Sequence, residues 1–285
     1  MTLAESVGTE LRVPEGLELR HHSPTIGTEV LGIDLRAPLA DDVVVFLRAL
    51  FLERKVLFFR DQDITTEDHM AFCRHWGELE VIPFLPQHPD HPEVLVIERG
   101  EGNRATENIW HSDVTWRERP SLGSALRSRE VPEVGGDTLW ADAELAYETL
   151  SAPLKRAVEG LEAEHSIATS LSVYMDDDTM HEMLKTFPPV RHPVVRTHPE
   201  TGRKSLYVNL AHTMRILDVP REDSRMLLRE LANHFRTPEL QCRFRWTDNA
   251  IAFWDNRSTQ HYAVQDYYPA VRRMERVTVQ GDRPV

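Results

Sequence analysis

Apolar and polar residues follow one another along this chain mostly in short runs, a pattern that is typical of β-strands. Leu17–His22 and Thr28–Leu35 alternate with a period of two, and Ile26 with Gly27 forms the expected turn between them. Other short runs are rich in apolar, β-branched or aromatic residues. They predict strands at Lys55–Arg60, Glu93–Glu98, Trp110–Thr115, Gly123–Arg129, Thr138–Ala141, Val190–His198, Ser205–Val208, Gln241–Trp246, Ala250–Trp254 and Val277–Gln280.

Fewer segments have the spacing of a helix. Thr65 and Asp68 match a capping box, which predicts a helix that continues to about Trp76. Asp41 is placed to cap a helix that runs to about Leu52. Further helices are predicted at Glu144–Leu150, Pro153–Leu161 and 221–235.

The stretch 166–190 is polar and acidic and includes Asp176, Asp177 and Asp178. It is expected to be a solvated loop or, alternatively, a lid over a site. No repeat or Gly/Ser-rich linker divides the chain, so residues 1–285 are expected to form a single domain with this lid or loop insertion. Many short strands without a regular βαβ order favour a mainly β fold with flanking helices, either an antiparallel sandwich or a jelly roll.

Composition narrows the classes of function. The net charge of −13 would repel a phosphate backbone, so a nucleic acid is not expected as a partner. Cys73 and Cys242 are far apart, which disfavours a disulfide framework and a cysteine zinc site. The N-terminal residues lack a signal-peptide pattern, and no run reaches the roughly 18 apolar residues of a membrane span. We therefore expect a cytoplasmic protein that does not associate with a membrane.

His111 and Asp113 are two residues apart in the segment WHSDVTW. On an extended strand their side chains would project from one face, so that an imidazole and a carboxylate could bind the same cation. A third ligand from elsewhere would complete a 2-His-1-carboxylate triad, which leaves positions open on an octahedral iron. A second pair of this spacing, His88 and Asp90, flanks a proline in a turn-like stretch where strand pairing is disfavoured. We therefore favour His111 and Asp113.

A downstream segment strengthens the hypothesis of a metal site. The predicted buried strand Ala250–Trp254 is followed by His261, and Arg272 and Arg276 come after it. An arginine at such a position could form a bidentate pair with a carboxylate of a bound diacid. Each of these residues alone also fits an ordinary surface or core position. The hypothesis therefore depends on their occurrence together.

Several longer stretches are distinctive: TEVLGIDLRAPL, VLFFRDQDIT, WGELE, WHSDVTW, GGDTLW, HPVVRTHPETGRKSLYVN and FWDNRSTQHYAVQDYYP, the last followed by an arginine pair. Together they resemble the TauD/TfdA family of 2-oxoglutarate-dependent dioxygenases over nearly the whole chain. The resemblance implies a double-stranded β-helix (jelly roll) core. It also implies an oxidoreductase that uses Fe(II), 2-oxoglutarate and O₂ to oxidise an unactivated C–H bond of a small organic molecule, with release of succinate and CO₂.

The resemblance also implies roles for particular residues. By the family's pattern, His111, Asp113 and His261 would bind the iron, and Thr138 and Arg272 would hold the distal carboxylate of 2-oxoglutarate. Arg276 occupies the position that meets the anionic end of the substrate in the taurine-oxidising members. Because family members commonly form dimers or tetramers, a homo-oligomer is expected.

The chain departs from the taurine enzymes at two positions that help to recognise the sulfonate and its surroundings. Ile82 stands where they carry a histidine, and Leu85 stands where they carry a tyrosine. An apolar side chain cannot replace a hydrogen-bond donor to a buried anion. Taurine is therefore not the expected substrate. A partly apolar anion is expected instead, against a rim that includes Ile82, Phe84, Leu85 and Trp116, although Trp116 fits core packing equally well.

Other functions that use similar residues are less well supported. A zinc hydrolase could bind its metal through the same three side chains, but Lys185 stands where the HExxH motif begun by His181 and Glu182 requires a histidine. A non-catalytic jelly-roll binding protein would be expected to have lost a triad residue or the co-substrate arginine, and neither is lost. A nucleic-acid demethylase of the same superfamily is disfavoured by the net charge.

Overall fold

The structure, a computed structural model, describes residues 12–82, 84–103, 108–171 and 176–285. Its strands are β1 (Glu18–His21), β2 (Thr28–Leu31), β3 (Val56–Phe59), β4 (Val94–Arg99), β5 (Gly123–Glu130), β6 (Thr138–Asp142), β7 (Glu162–His165), β8 (Val190–Pro193), β9 (Val195–Thr197), β10 (Lys204–Leu206), β11 (Thr213–Ile216), β12 (Gln241–Phe244), β13 (Ile251–Asp255), β14 (Thr259–Ala263) and β15 (Arg272–Val279). Its α-helices are α1 (Asp41–Arg54), α2 (Thr66–Arg74), α3 (Ala143–Thr149), α4 (Ala152–Val158), α5 (Ala168–Leu171), α6 (Asp177–Thr186) and α7 (Arg221–His234).

Seven strands form the main sheet, in the order β1-β2-β3-β13-β5-β15-β4. All neighbours are antiparallel except β2 and β3. Side chains on a strand point alternately to opposite faces, so each face of this sheet has its own packing partner. The outer face packs against α1 and α2 through Leu57, Phe59, Ala125, Ile251, Phe253 and Val277.

The inner face of the main sheet packs against a smaller antiparallel sheet of order β12-β6-β14. The residues that meet between the two layers are Val56, Phe58, Leu126, Ala252, Trp254 and Met274 from the main sheet and Trp140, Cys242 and Phe244 from the smaller one. Two further small sheets, β11-β7-β8 and β10-β9, extend the second layer and pack with α3, α4 and α7 in a separate apolar cluster.

The expected fold class, mainly β with flanking helices, is confirmed, and most predicted strands are present within one or two residues of their predicted ends. The capping box is also present, because the Thr65 hydroxyl accepts from the Asp68 N–H and the Asp68 carboxylate accepts from the Thr65 N–H. The last strand is longer than predicted, since β15 begins at Arg272 and includes both candidate arginines.

Three predictions of local structure need correction. The single strand Val190–His198 is two strands: β8 pairs with β7, whereas β9 pairs with β10. Pro193 cannot donate a ladder hydrogen bond, and it ends the first pairing. The stretch 166–190 is not simply a loop, because α5 and α6 lie within it. The prediction of a strand over Trp110–Thr115 is wrong, because only His111 pairs and the chain turns over residues 113–116.

Three observed strands, β7, β11 and β14, were not predicted. Their sequences, EAEH, TMRI and TQHYA, mix charged and polar residues with few apolar ones. The burial of β14 results from its place in the fold and not from an apolar pattern of its own. Periodicity in the sequence therefore gives little indication of the strand that carries His261.

Among the described residues, no helix is both long enough and apolar enough to cross a membrane. The two cysteines, Cys73 and Cys242, are buried and free, and they belong to the packing of opposite faces of the main sheet.

Phe58 joins the two layers and provides a test of their packing. Its ring is fully buried, stacks on Phe244 at a centroid distance of 4.2 Å and meets Trp140 edge-on at 5.4 Å. Because Phe58→Ala would remove these contacts and leave a cavity, we expect it to lower the free energy of unfolding by about 3–5 kcal/mol in urea titrations. Val45 on α1 is 67% exposed. Val45→Ala is the control, with an expected change within about 0.5 kcal/mol, and equal effects of the two changes would contradict the described core.

Candidate active site

His111 and His261 lie opposite each other in an isolated antiparallel bridge. The His111 N–H donates to the His261 carbonyl at 3.1 Å, and the His261 N–H donates to the His111 carbonyl at 2.8 Å. The Ser112 hydroxyl adds a third bond, to the carbonyl of Thr259 at 2.7 Å. These bonds attach the segment that carries His111 to β14, and the two imidazole rings lie with their centroids 4.1 Å apart.

Asp113 reaches the same place by a turn. Within the predicted strand Trp110–Thr115, His111 is the only residue that forms a β-bridge. The chain then turns over residues 113–116, and Val114 has a left-handed φ of 47°. The turn, and not the alternation of an extended strand, therefore directs the carboxylate toward the two imidazoles. Val114 and Trp116 are buried in an apolar cluster, which explains why this run has the composition of a strand.

The three side chains form a compact set of possible metal ligands. One ligand atom from each of His111, Asp113 and His261 lies within 4.8 Å of the other two. Both Nε2 atoms are 4.0 Å from Oδ1 of Asp113. His111 Nδ1 donates to the carbonyl of Ile109 at 2.7 Å. Since a carbonyl only accepts, the proton is on Nδ1 and the lone pair of Nε2 is available to a metal.

The surroundings favour the ligand forms of these groups. Burial alone would raise the pKa of Asp113, but the Arg276 guanidinium, together with a hydrogen bond from the Ser124 hydroxyl, holds that pKa well below its usual range. Arg276 Nη1 donates to Oδ1 of Asp113 at 2.8 Å, and the Ser124 hydroxyl donates to Oδ2 at 3.1 Å. Burial lowers the pKa of His261 to about 3, so its ring is neutral at pH 7. Ionised carboxylates and neutral imidazoles are the forms that bind metals.

Thr138 and Arg272 lie next to each other in the buried space between the layers. Thr138 pairs with Ala263 and Trp140 pairs with His261, so the Thr138 and His261 side chains share one face of their sheet. Arg272 Nη2 donates to the Thr138 hydroxyl at 3.4 Å, and the guanidinium lies 5.6 Å from the centre of the Trp246 ring.

A glycine makes room for Arg272. Gly136 has a φ of +71°, and a Cβ at this position would approach Cδ of Arg272 to 3.3 Å. A side chain there would therefore be strained and would crowd the arginine. This gives a physical reason for the second glycine of GGDTLW.

Arg272 and Arg276 both belong to the inner face of the main sheet. They are four residues apart on β15, with Met274 of the interlayer core between them, whereas Arg273 points outward and is exposed. Arg276 pairs with Leu126 and Thr278 with Ser124 on the neighbouring strand. The alternation of β15 therefore brings Arg276 and Ser124 to the same carboxylate.

A cavity of about 850 Å³ opens beside the three possible ligands and is lined by His111, Asp113 and Arg276 at one end. Its wall is largely apolar. Three candidate substrate residues from the sequence line it or its rim: Phe84, Leu85 and Trp116. Ile82 belongs to the same apolar cluster but is buried within it and is not among the described residues that line the cavity.

His212 is a cavity residue that sequence reasoning did not identify. Its ring lies edge-on to that of His111, with 6.3 Å between centroids, and Nδ1 is 3.4 Å from the Ser170 hydroxyl. Burial lowers its pKa to about 3, so the ring is neutral. Ser124 and Asn256 were missed as well. An isolated histidine, serine or asparagine carries no local pattern that distinguishes such a role.

The alternative pair, His88 and Asp90, has a local structural role. Nδ1 of His88 accepts from the Asp90 N–H at 3.2 Å, and Asp90 is exposed. Within the described ranges, the only group of three histidine, cysteine or acidic side chains close enough to share a metal is His111, Asp113 and His261.

Comparisons with known proteins identify the family of this chain. The family described as "Taurine catabolism dioxygenase TauD, TfdA family" matches residues 18–278. The alkylsulfatase of Acinetobacter baylyi is 36% identical over 275 residues, which cover 93% of this chain and 86% of that protein. The alpha-ketoglutarate-dependent sulfate ester dioxygenase of Pseudomonas putida is 36% identical over 283 residues, covering 95% and 93%.

Solved structures show the same relationship. A taurine dioxygenase from Burkholderia xenovorans has a TM-score of 0.81 and 36% identity, covering 95% of this chain and 91% of that one. AAD-2 in complex with Mn(II) and N-oxalylglycine has a TM-score of 0.81 and 32% identity, covering 94% and 98%.

The chain therefore belongs to the TauD/TfdA family, and the resemblance seen in the sequence is confirmed. It is a 2-oxoglutarate-dependent dioxygenase, an oxidoreductase that uses Fe(II), 2-oxoglutarate and O₂.

Proposed function

We propose that His111, Asp113 and His261 hold the Fe(II) of this dioxygenase. The observation that carries the proposal is the convergence of their three ligand atoms within 4.8 Å, with the Nδ1 proton of His111 already engaged by a carbonyl. Two imidazoles and one carboxylate on one side of a cavity fit an octahedral ferrous ion that keeps its other positions open.

The proposal assigns Arg272 and Thr138 to the distal carboxylate of 2-oxoglutarate. A buried guanidinium beside a hydroxyl suits a carboxylate, because the guanidinium can donate two parallel hydrogen bonds and the hydroxyl a third. The position of Thr138 on the face that carries His261 supports the assignment, since a chelating co-substrate must reach from the metal to this pair.

When bound, the iron and 2-oxoglutarate supply with O₂ the oxidising power for the C–H bond, and succinate and CO₂ are released. The chain itself positions the reactants. Arg272 orients the co-substrate, and Ser124 and Arg276 orient the Asp113 carboxylate. The apolar wall of the cavity excludes water from the reacting centre.

The substrate proposed is a small anion with an apolar body. Arg276 is joined in the cavity lining by Arg99 and Arg236, whereas Asp113 is the only acidic residue among the described residues of that lining. The cavity is therefore cationic in a chain of net charge −13. The printed functions of the two relatives at 36% identity, an alkylsulfatase and a sulfate ester dioxygenase, support a sulfate ester as this anion.

The position of Arg276 also indicates which carbon is oxidised. Arg276 contacts Asp113, so an anionic group that it holds would lie beside the metal ligands, and the carbon that bears this group would be nearest. In a sulfate ester, hydroxylation of that carbon gives a hemiacetal-type ester, which breaks down to sulfate and an aldehyde. Taurine is a weaker candidate, because Ile82 and Leu85 offer no hydrogen bond to its sulfonate.

Several broader predictions belong to this proposal. The seven-stranded sheet that packs on smaller sheets supports a jelly-roll core, and the inclusion of strands from both ends of the chain in that sheet supports a single domain. The segment 166–190 is proposed as a lid, since Met183, Leu184 and Phe187 pack on the apolar cluster that lines the cavity. Homo-oligomeric assembly and a cytoplasmic location stay predictions, which light scattering and cell fractionation test.

The assignment of the metal and the co-substrate is tested by anaerobic titration with Fe(II) and 2-oxoglutarate. We expect a visible metal-to-ligand charge-transfer band that is absent in His111→Ala. In Arg272→Ala, loss of charge-assisted hydrogen bonds should weaken 2-oxoglutarate binding by about 10- to 100-fold. Arg273→Ala is the matched control, because this neighbouring arginine points outward and is exposed. Absence of the band in the intact protein would refute the proposed site.

The proposed substrate class is tested by succinate release with alkyl sulfates, taurine, aryloxyalkanoates, natural-product acids and the uncharged alcohols that correspond to the sulfates. We expect turnover with the sulfates and an increase in KM of about 10- to 100-fold in Arg276→Ala. Arg276→Lys should recover part of the loss, because it keeps the charge without the planar fork. The metal affinity of each variant is measured alongside, because Arg276 also contacts Asp113. If only neutral compounds are oxidised and Arg276→Ala leaves their rate unchanged, the anion proposal is wrong.

A further inference from the structure

The backbone directly after Asp113 is strained. Val114 has a φ of 47°, in the left-handed region that β-branched residues rarely adopt. A conformation of this kind costs about 1–3 kcal/mol and persists only where surrounding contacts enforce it. The Val114 side chain is buried, and its carbonyl accepts from the Arg117 N–H at 3.0 Å. The residue that presents the carboxylate to the candidate metal site is thus the first residue of an enforced turn.

One side chain contacts both polar groups of the Asp113 backbone. The Asn256 carboxamide oxygen accepts from the Asp113 N–H at 2.6 Å, and its nitrogen donates to the Asp113 carbonyl at 2.9 Å. The same nitrogen donates to the carbonyl of Ser121 at 3.1 Å. Asn256 is 1% exposed, so these bonds replace those that water would make.

The position of Asn256 in the chain makes this contact informative. It follows the last residue of β13 and precedes β14, which carries His261. Its own N–H donates to the carbonyl of Leu122 at 2.9 Å, which fixes it to the residue before β5. The side chain of Asn256 therefore joins the Asp113 backbone to the connection between β13 and β14, which leads directly into the strand that carries His261.

We propose that Asn256 is a positioning residue for the metal: by bonding both backbone groups of Asp113 it holds the strained turn at Val114, and so places the carboxylate where the imidazoles of His111 and His261 converge. This inference rests on the proposed assignment of Asp113 as a ligand. Asn256 does not touch the reacting atoms. Its contribution passes through the Asp113 backbone, as the Ser124 and Arg276 contributions pass through the carboxylate.

Metal affinity is the direct measure of this role. Loss of residues that support metal ligands typically weakens metal binding by about 10- to 100-fold. We therefore expect Asn256→Ala to weaken the binding of Co(II) and Mn(II) by about 10- to 100-fold in anaerobic titrations of the full chain, without co-substrate. The visible spectrum of bound Co(II) should change as well, because the carboxylate would be displaced.

The chain provides a matched control at Gln62. This buried carboxamide also makes three bonds to backbone groups: it accepts from the Leu35 N–H and donates to the carbonyls of Ile33 and Arg60. Gln62→Ala should lower the free energy of unfolding, as Asn256→Ala does, but should leave the metal affinity and the Co(II) spectrum unchanged. Equal metal affinities of the two variants would overturn the inference.

Two more variants keep the test decisive if Asn256→Ala does not fold. Asn256→Asp retains the acceptor for the Asp113 N–H but turns a carboxylate oxygen toward the carbonyls of Asp113 and Ser121, so a metal affinity as low as that of Asn256→Ala is expected. Val114→Gly in the background of either Asn256 variant should recover part of the affinity, because glycine adopts a positive φ without the steric penalty. If Val114→Gly does not restore metal affinity in that background, the strain at Val114 is unrelated to the role of Asn256, and the proposal is wrong.

The outcome for the wild type distinguishes failure of this inference from failure of the proposed function. If the wild type binds Co(II) and His111→Ala does not, the metal site stands and the Asn256 variants decide the inference. If His111→Ala binds Co(II) as the wild type does, the proposed metal site itself is wrong.

Discussion

Two backbone hydrogen bonds between His111 and His261 bring the ends of the candidate site together, and the rest of the site depends on them. The segment 111–117 belongs to no sheet beyond this bridge. Within it, residues 111–113 are held by the bridge, by the bond from Ser112 to Thr259 and by the Asn256 carboxamide. All of these partners lie in β14 or in the connection between β13 and β14.

That connection has a particular place in the fold, because β13 lies within the main sheet and β14 within the smaller one. The chain must cross from one layer to the other through buried space, where every polar group needs a partner. The crossing is satisfied internally: Arg257 pairs with the Asp255 carboxylate at 2.7 Å, His198 lies 3.1 Å from it, and the Thr259 hydroxyl donates to the Asp255 carbonyl. These contacts hold the crossing in place, and with it the position of the candidate metal ligands.

The alternation of β15 supplies the second half of the site. Residues 272, 274 and 276 point inward, so one strand contributes in succession the arginine proposed for the co-substrate, a core methionine and the arginine proposed for the substrate. This arrangement puts cationic groups at two depths of an otherwise apolar interior. It explains how a chain of strongly negative net charge can form a cavity suited to anions.

The sequence predicted the β-rich class and most strands because buried strands such as Ala250–Trp254 carry a clear apolar pattern. It identified His111 and Asp113 by their spacing, but the reason was wrong: a left-handed turn at Val114, and not a strand, brings them together. His261, Thr138 and the arginines were assigned roles through the family resemblance. Asn256, Ser124 and His212 were out of reach, because a polar residue gains such a role only from the tertiary contacts around it.

We propose that the turn at Val114, the connection between β13 and β14 and the inward-facing side of β15 form a single iron and 2-oxoglutarate site. The decisive measurement is a crystal structure of the protein with Fe(II) and 2-oxoglutarate, grown without O₂. We expect iron bound by Nε2 of His111, a carboxylate oxygen of Asp113 and Nε2 of His261, with the distal carboxylate of 2-oxoglutarate on Arg272 and Thr138. Iron held by other residues, or 2-oxoglutarate bound away from Arg272, would contradict it.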